Sequence, residues 1–194
     1  MNFNINFFNT LAFSENKIWD LLLQGVANKK SKFHTPTLST IADNRVNSRT
    51  IILRKVLKSI KTLVFYSDVR SKKCLDIKKN KNCTIHIYEN RYNLQTQLYG
   101  YATLETKTRK TKTIWKGLNE FSKKNYSSKT SPGHKIRNHK NLQYYRDDEN
   151  SYNNFSLINF KVFKIECLQL LNNNNQRVEF IYKGNLIQRN RIVP

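Results

Sequence analysis

The sequence predicts a mainly β protein with flanking helices, its antiparallel strands wrapped into a closed barrel. Three observations predict it. Short segments rich in β-branched and aromatic residues recur with period-two alternation. Helical spacing is confined to three stretches, and nothing in the 194 residues repeats or shifts composition enough to mark a second domain. Six or seven strands in one domain would expose open edges, and closure removes them.

The elements follow in order. Residues 16–27 place Ile18, Trp19, Leu22, Leu23 and Val26 on one helical stripe, with Ser14 as the expected cap. Thr37–Ala42 reads as a strand, Asp43 and Asn44 as a turn, and residues 48–56 (SRTIILRKV) as one continuous strand. Residues 62–67 (TLVFYS) form the next strand. Ser71 then sits at the cap position of a short helix running to Ile77. Residues 82–88 and 94–104 alternate again, and Gly100 marks an expected bulge. A helix is expected over 107–124, with Ile114, Trp115, Leu118 and Phe121 on one side. Residues 125–154 are polar and read as a long loop; 155–170 and 177–182 read as closing strands.

Composition excludes several classes. With 5 Gly and 3 Pro the chain is neither collagen-like nor a flexible linker, and no apolar run is long enough to span a membrane. The amino end, MNFNINFFNTLAF, lacks the cationic start of a signal peptide, so a cytoplasmic protein is expected. Cys74, Cys83 and Cys167 are widely spaced, which excludes a CxxC zinc or redox motif and fits reduced thiols. Neither GxGxxG nor a P-loop is present, so dinucleotide and P-loop readings fail.

The net charge of +22 admits a nucleic-acid partner. Between Lys107 and Lys140 stand eleven basic residues and one acidic one, Glu120, interleaved with Trp115, Phe121 and Tyr126. Against that reading, Lys, Asn and Ile are abundant along the whole chain, which raises solvated lysines without a partner.

The chemistry concentrates in three segments: RTIILR (49–54), FYSDVRSKKCLDI (65–77) and LQTQLYG (94–100). Arg49 and Arg54 are five apart and fall on opposite faces of a regular strand. In the second segment a strand runs into a Ser-Lys-Lys helix start. Its free N–H groups, with Lys72 and Lys73, make a seat for a phosphate, to which Arg49 adds a guanidinium. Gln95 offers an amide suited to the edge of a heteroaromatic ring.

In that order and spacing, these segments resemble the FMN-binding split barrel of the pyridoxamine 5′-phosphate oxidase family, and within it the oxidase-related branch. The resemblance is specific over residues 18–104 and looser over 115–133 and 155–194. It implies FMN as cofactor and a homodimer with the flavin at the subunit interface. By resemblance, Arg49 and Lys73 bind the FMN phosphate, Lys72 is a neighbouring cationic contact, and Tyr66 and Ser67 lie beside the ribityl-phosphate. Thr50, Ile51, Ile52 and Leu53 run along the isoalloxazine through their backbone, Arg54 stands close to the ring, and Gln95 reads it.

The carboxy-terminal Arg-x-His-Asp-Arg motif of the true oxidase is replaced by NNNNQRVEFIY, with Glu179 near an expected Arg, and Leu168 replaces a flavin-contacting Trp. The resemblance therefore implies a flavin protein rather than a vitamin-B6 oxidase. The reading is an FMN-dependent oxidoreductase of unknown substrate. A non-catalytic FMN carrier or sensor, and a basic nucleic-acid binder, are the alternatives.

The remaining chemistry-bearing residues suggest nothing sharper. His134 and His139 lie in a polar basic stretch without a carboxylate cluster, so no metal site is expected, and His86 reads as structural. Trp19 reads as core. Trp115 is either core or the cover of a ligand pocket.

Overall fold

The computed structural model describes residue 8, residues 10–172 and residues 174–194, without the side chain of Phe13. Most of the amino-terminal stretch read against a signal peptide, and one Asn of the 172–175 run, lie outside the described residues. The elements are α1 (Leu11–Ala27), β1 (Thr37–Ala42), β2 (Arg45–Thr50), β3 (Leu53–Leu57), β4 (Thr62–Asp68), α2 (Lys72–Lys79), β5 (Asn82–Glu89) and β6 (Leu94–Glu105). They continue with α3 (Arg109–Lys116), α4 (Glu120–Lys124), α5 (Asp148–Asn153), β7 (Phe155–Gln169), β8 (Gln176–Lys183) and β9 (Leu186–Ile192).

Among the described residues nine strands join one antiparallel sheet in the order β2-β1-β5-β6-β7-β4-β3, with β8 on β7 and β9 on β8. The expected closure does not occur: β2 and β3 remain the two ends of that path. The strand expected over 48–56 is accordingly two strands. Thr50 pairs with Thr37, and the next residue on β1's side is Pro36, which has no N–H to carry the ladder further. The N–H of Ile51 bonds the Pro36 carbonyl at 2.9 Å, that of Leu53 bonds His34 at 2.9 Å, and the chain departs to pair with β4.

The main core packs against one face of the sheet. Ile18, Trp19 and Leu22 of α1 pack there with Leu38, Phe65, Ile85, Leu98 and Phe160, all fully buried. Ser14 does not cap α1. It lies inside the helix, which begins earlier, and its hydroxyl donates back to the Thr10 carbonyl at 2.7 Å. Asp43 and Asn44 both take positive φ, as the expected tight turn requires. Gly100 sits at a register shift between β6 and β7; a Cβ there would lie 2.6 Å from the Phe160 ring, so the strands can approach only without one.

A second, smaller core lies on the opposite face of β4 and β7, where Val64, Phe155 and Leu157 are covered by Trp115 and Tyr126. Trp115 is therefore core, held by an indole N–H bond to Asp148 at 2.8 Å. The helix expected over 107–124 is two helices, because Asn119 caps a new start by accepting from the Ser122 N–H at 2.8 Å. Phe121 is consequently 82% exposed rather than on the apolar side. The segment 125–154 is mostly irregular but carries a 3-10 turn and α5. Strand β9 was not expected, since its residues LIQRNRI carry an edge strand's polar composition.

Candidate functional site

The site begins where β4 ends. The Asp68 carboxylate folds the chain back by accepting from the N–H of Arg70 at 2.9 Å and from its guanidinium at 2.7 Å, and Arg70 in turn ties down the carbonyl of Ser128. Ser71 then occupies the cap position of α2 in extended conformation, but makes no capping bond. Its hydroxyl lies instead 3.2 Å from that of Ser67, which also receives the Cys74 thiol at 3.4 Å. The first-turn N–H groups of α2 are thus left without the side-chain acceptor that usually satisfies them.

Across from this helix start, β1 and β2 present Thr40, Asn47 and Arg49 toward a carboxylate the sequence reading missed, Asp76. It is fully buried on α2. Its Oδ2 accepts from Thr40 at 2.8 Å and Asn47 at 3.1 Å and lies 3.7 Å from the Arg49 guanidinium; its Oδ1 meets the Lys72 ammonium at 2.9 Å. Burial pushes the Asp76 carboxyl upward, but the hydrogen bonds from Lys72, Thr40 and Asn47 outweigh it and hold the group below the usual carboxylate range. The available signal was an acid placed between Cys74 and Ile77 on the helix face that turns inward.

Arg49 is fixed by donating to the Thr40 hydroxyl at 2.7 Å and to the Leu38 carbonyl at 3.3 Å. Two of its five N–H donors are used in this way, which leaves others for a ligand. Lys73 is half-buried, and among the described residues its ammonium has no hydrogen-bond or ion-pair partner. Burial lowers its pKa, and the nearby Arg49 charge lowers it further, against the opposing pull of Cys74 and Asp68. An uncapped helix start, a cation lacking a partner and an anchored guanidinium favour one occupant, a phosphate.

The other residues singled out in the sequence divide. Lys72 is exposed and committed to Asp76 and, at 3.7 Å, to Asp43. Of the run Thr50 to Leu53, the N–H groups of Ile51 and Leu53 are already used within the chain; Ile51 and Leu53 are buried, whereas Thr50 and Ile52 face outward. Arg54 lies over the ring of Tyr66, 5.3 Å from its centroid, and Tyr66 is half-buried, with burial raising its phenol pKa despite Arg54. Ser67 is buried at the helix start. Gln95 stands apart on the outer face of β6, in register with Tyr88 and Leu168, and its amide has no partner among the described residues. All three cysteines are buried and unpaired, and no cluster of metal-ligating side chains occurs among the described residues.

This fold is the split barrel. Residues 16–106 match the family model described as pyridoxamine 5′-phosphate oxidase, FMN-binding domain. Among solved structures it is similar to a pyridoxamine 5′-phosphate oxidase-related, FMN binding protein from Nostoc punctiforme, at 19% identity and TM-score 0.74, covering 92% of this chain and 96% of that one. It is also similar to PhzG from Burkholderia lata, solved with tetrahydrophenazine-1-carboxylic acid, at 13% identity and TM-score 0.72, covering 93% and 92%. At these identities the likeness is one of fold, the split barrel. No curated protein matches the chain in sequence.

Proposed function

We propose that the chain is a cytoplasmic, FMN-dependent oxidoreductase acting on a small molecule, and that it works as a homodimer with the flavin between protomers. The observation that carries this reading is the seat formed by Arg49, Lys73 and the uncapped start of α2, with Arg54, the expected ring-side residue, lying over Tyr66 of the expected ribityl end. FMN supplies the redox chemistry when bound, and the protein supplies position and charge.

In this reading Arg49 and Lys73 neutralise the phosphate. Lys72 acts through Asp76, keeping the carboxylate that orients Arg49 ionised. Tyr66 and Ser67 line the ribityl end, while Thr50 to Leu53 offer the ring mainly the groups of Thr50 and Ile52. Arg54 places a positive charge near the ring, and Gln95 offers its amide to the ring edge. The outward positions Ile41, Val46 and Tyr88 leave exposed apolar area on β1, β2 and β5 that a second copy would cover. No helix among the described residues is long and apolar enough to cross a membrane.

The visible spectrum of the purified protein after incubation with FMN and gel filtration tests the binding. A retained flavin spectrum that is lost in Lys73→Ala supports the reading. A colourless protein at saturating FMN removes it. Reduction of the bound flavin by NADH or NADPH, followed by turnover of an acceptor, distinguishes an enzyme from a carrier.

A further inference from the structure

One edge of β7 is shared by two strands. β4 pairs with it as far as Lys161, and β8 takes up the pairing at Lys164, so Val162 and Phe163 fall between the two. A cavity of about 670 Å³ opens at this split. It is lined by residues 59–61 just ahead of β4, by Gly184 and Asn185 of the turn between β8 and β9, and by Tyr101 of β6. Thr62 and Ser67 stand five residues apart on β4, about 17 Å of strand, so the cavity lies at the other end of β4 from the flavin seat.

The wall is aromatic and aliphatic. Tyr101 and Phe163 stack with ring centroids 4.9 Å apart and planes 36° from parallel, and Tyr101 is still 50% exposed, which leaves ring surface free for a further partner. Ile60, Val162 and Ile187 add apolar surface. The charges in the wall are already satisfied. Lys61 pairs with Glu15 at 3.3 Å and lies between the rings of Trp19 and Tyr182, while Lys161 donates to the Ile60 carbonyl at 2.6 Å. None of the lining residues is acidic. A charged ligand would therefore give up hydration without meeting an unpaired counter-charge. The Ser59 hydroxyl and the Asn185 amide, by contrast, have no hydrogen-bond partner among the described residues, and together they offer donors and acceptors to a neutral polar edge. The volume is that of a small-molecule site, and free aromatic surface favours a planar ring over a saturated one.

We propose that the split between β4 and β8 is a second ligand site, separate from the flavin seat, and that it takes an uncharged planar aromatic molecule with a hydrogen-bonding edge such as a carboxamide. The ring of the ligand continues the Tyr101–Phe163 stack, and its polar edge meets Asn185 and Ser59. The site stands independently of the flavin reading.

Calorimetric titration of the full chain with 2-naphthamide, its anionic counterpart 2-naphthoate and its saturated counterpart decahydro-2-naphthamide, each with and without saturating FMN, tests this. Naphthamide is expected to bind about fivefold more tightly than the saturated amide, as one aromatic contact provides, and at least as tightly as naphthoate. FMN is expected to change that affinity by less than about twofold. Tyr101→Ala should abolish the preference for the aromatic ring, and Asn185→Ala should weaken both amides about fivefold while keeping it. Both residues are exposed, so the variants keep their fold. No binding, tighter binding of naphthoate, equal binding of the saturated amide, a ring preference that survives Tyr101→Ala, unchanged affinity in Asn185→Ala, or loss of naphthamide on adding FMN would each overturn the proposal. Flavin absorbance on the same samples separates the two readings. A yellow protein without the ring preference sinks this inference alone. A colourless protein that shows it removes the flavin reading and leaves the second site.

Discussion

Two regions of this chain are rich in lysine and arginine, and they are built differently. Around α2, Arg49 and Lys72 converge on one buried carboxylate, Asp76, while Lys73 stands without a partner among the described residues at a helix start that lacks its cap. Along residues 107–140, Lys107, Lys112, Lys116, Lys135, Arg137 and Lys140 stand in solvent. The aromatics interleaved there do not form a stacking surface: Trp115 and Tyr126 are interior to the second core, whereas Phe121 projects alone. Charge counted along a sequence therefore says less than charge that the fold has partly dehydrated and fixed, because water screens the first and not the second.

The comparison can be broken at several points. Trp115→Ala should have the largest effect, about 4 kcal/mol of stability in urea unfolding, because it empties the second core and removes the indole bond to Asp148. A stacking role would instead leave stability unchanged. Asp76→Ala should cost about 3 kcal/mol, since Arg49 and Lys72 lose the carboxylate between them. Because its folded pKa is lowered, the Asp76 contribution is present above the unfolded value of about 3.9 and is lost as pH falls through the lower folded value.

Smaller effects on stability separate the regions by function. Arg49→Ala and Lys73→Ala should each weaken FMN binding by at least about tenfold, as expected for one charge-assisted bond to phosphate. FMN affinity should also fall at alkaline pH. Since the Lys73 pKa is lowered, that loss should begin below the ordinary lysine value of about 10.4 and be absent in Lys73→Ala. Last, Lys135→Ala/Arg137→Ala/Lys140→Ala should change stability by less than about 0.5 kcal/mol.

Much of the frame was legible because it depends on local rules. The alternation of residues 82–88 and 94–104, the Asp43–Asn44 turn and the Gly100 bulge are each set by a few adjacent residues, and each stands in the structure. What was missed depends on distant partners. Pro36 ends the ladder that Thr50 would have continued, so one strand became two and the barrel stayed open. Asn119 restarts a helix that the apolar spacing carried through. In the site, the cations were visible as a motif. Asp76 was not, because its partners Thr40, Asn47 and Arg49 come from two strands about thirty residues earlier. Nor did spacing show that Lys72 turns to Asp43 while Lys73 stays without a partner.

FMN affinity compared across three proteins tests the central claim most directly: the unaltered chain, Lys73→Ala, and the Lys135/Arg137/Lys140 triple alanine variant. The account predicts that one alanine beside α2 weakens binding by at least about tenfold, while three in the solvated stretch leave it within about twofold. Equal losses in the two variants, or a larger loss in the triple one, would contradict it.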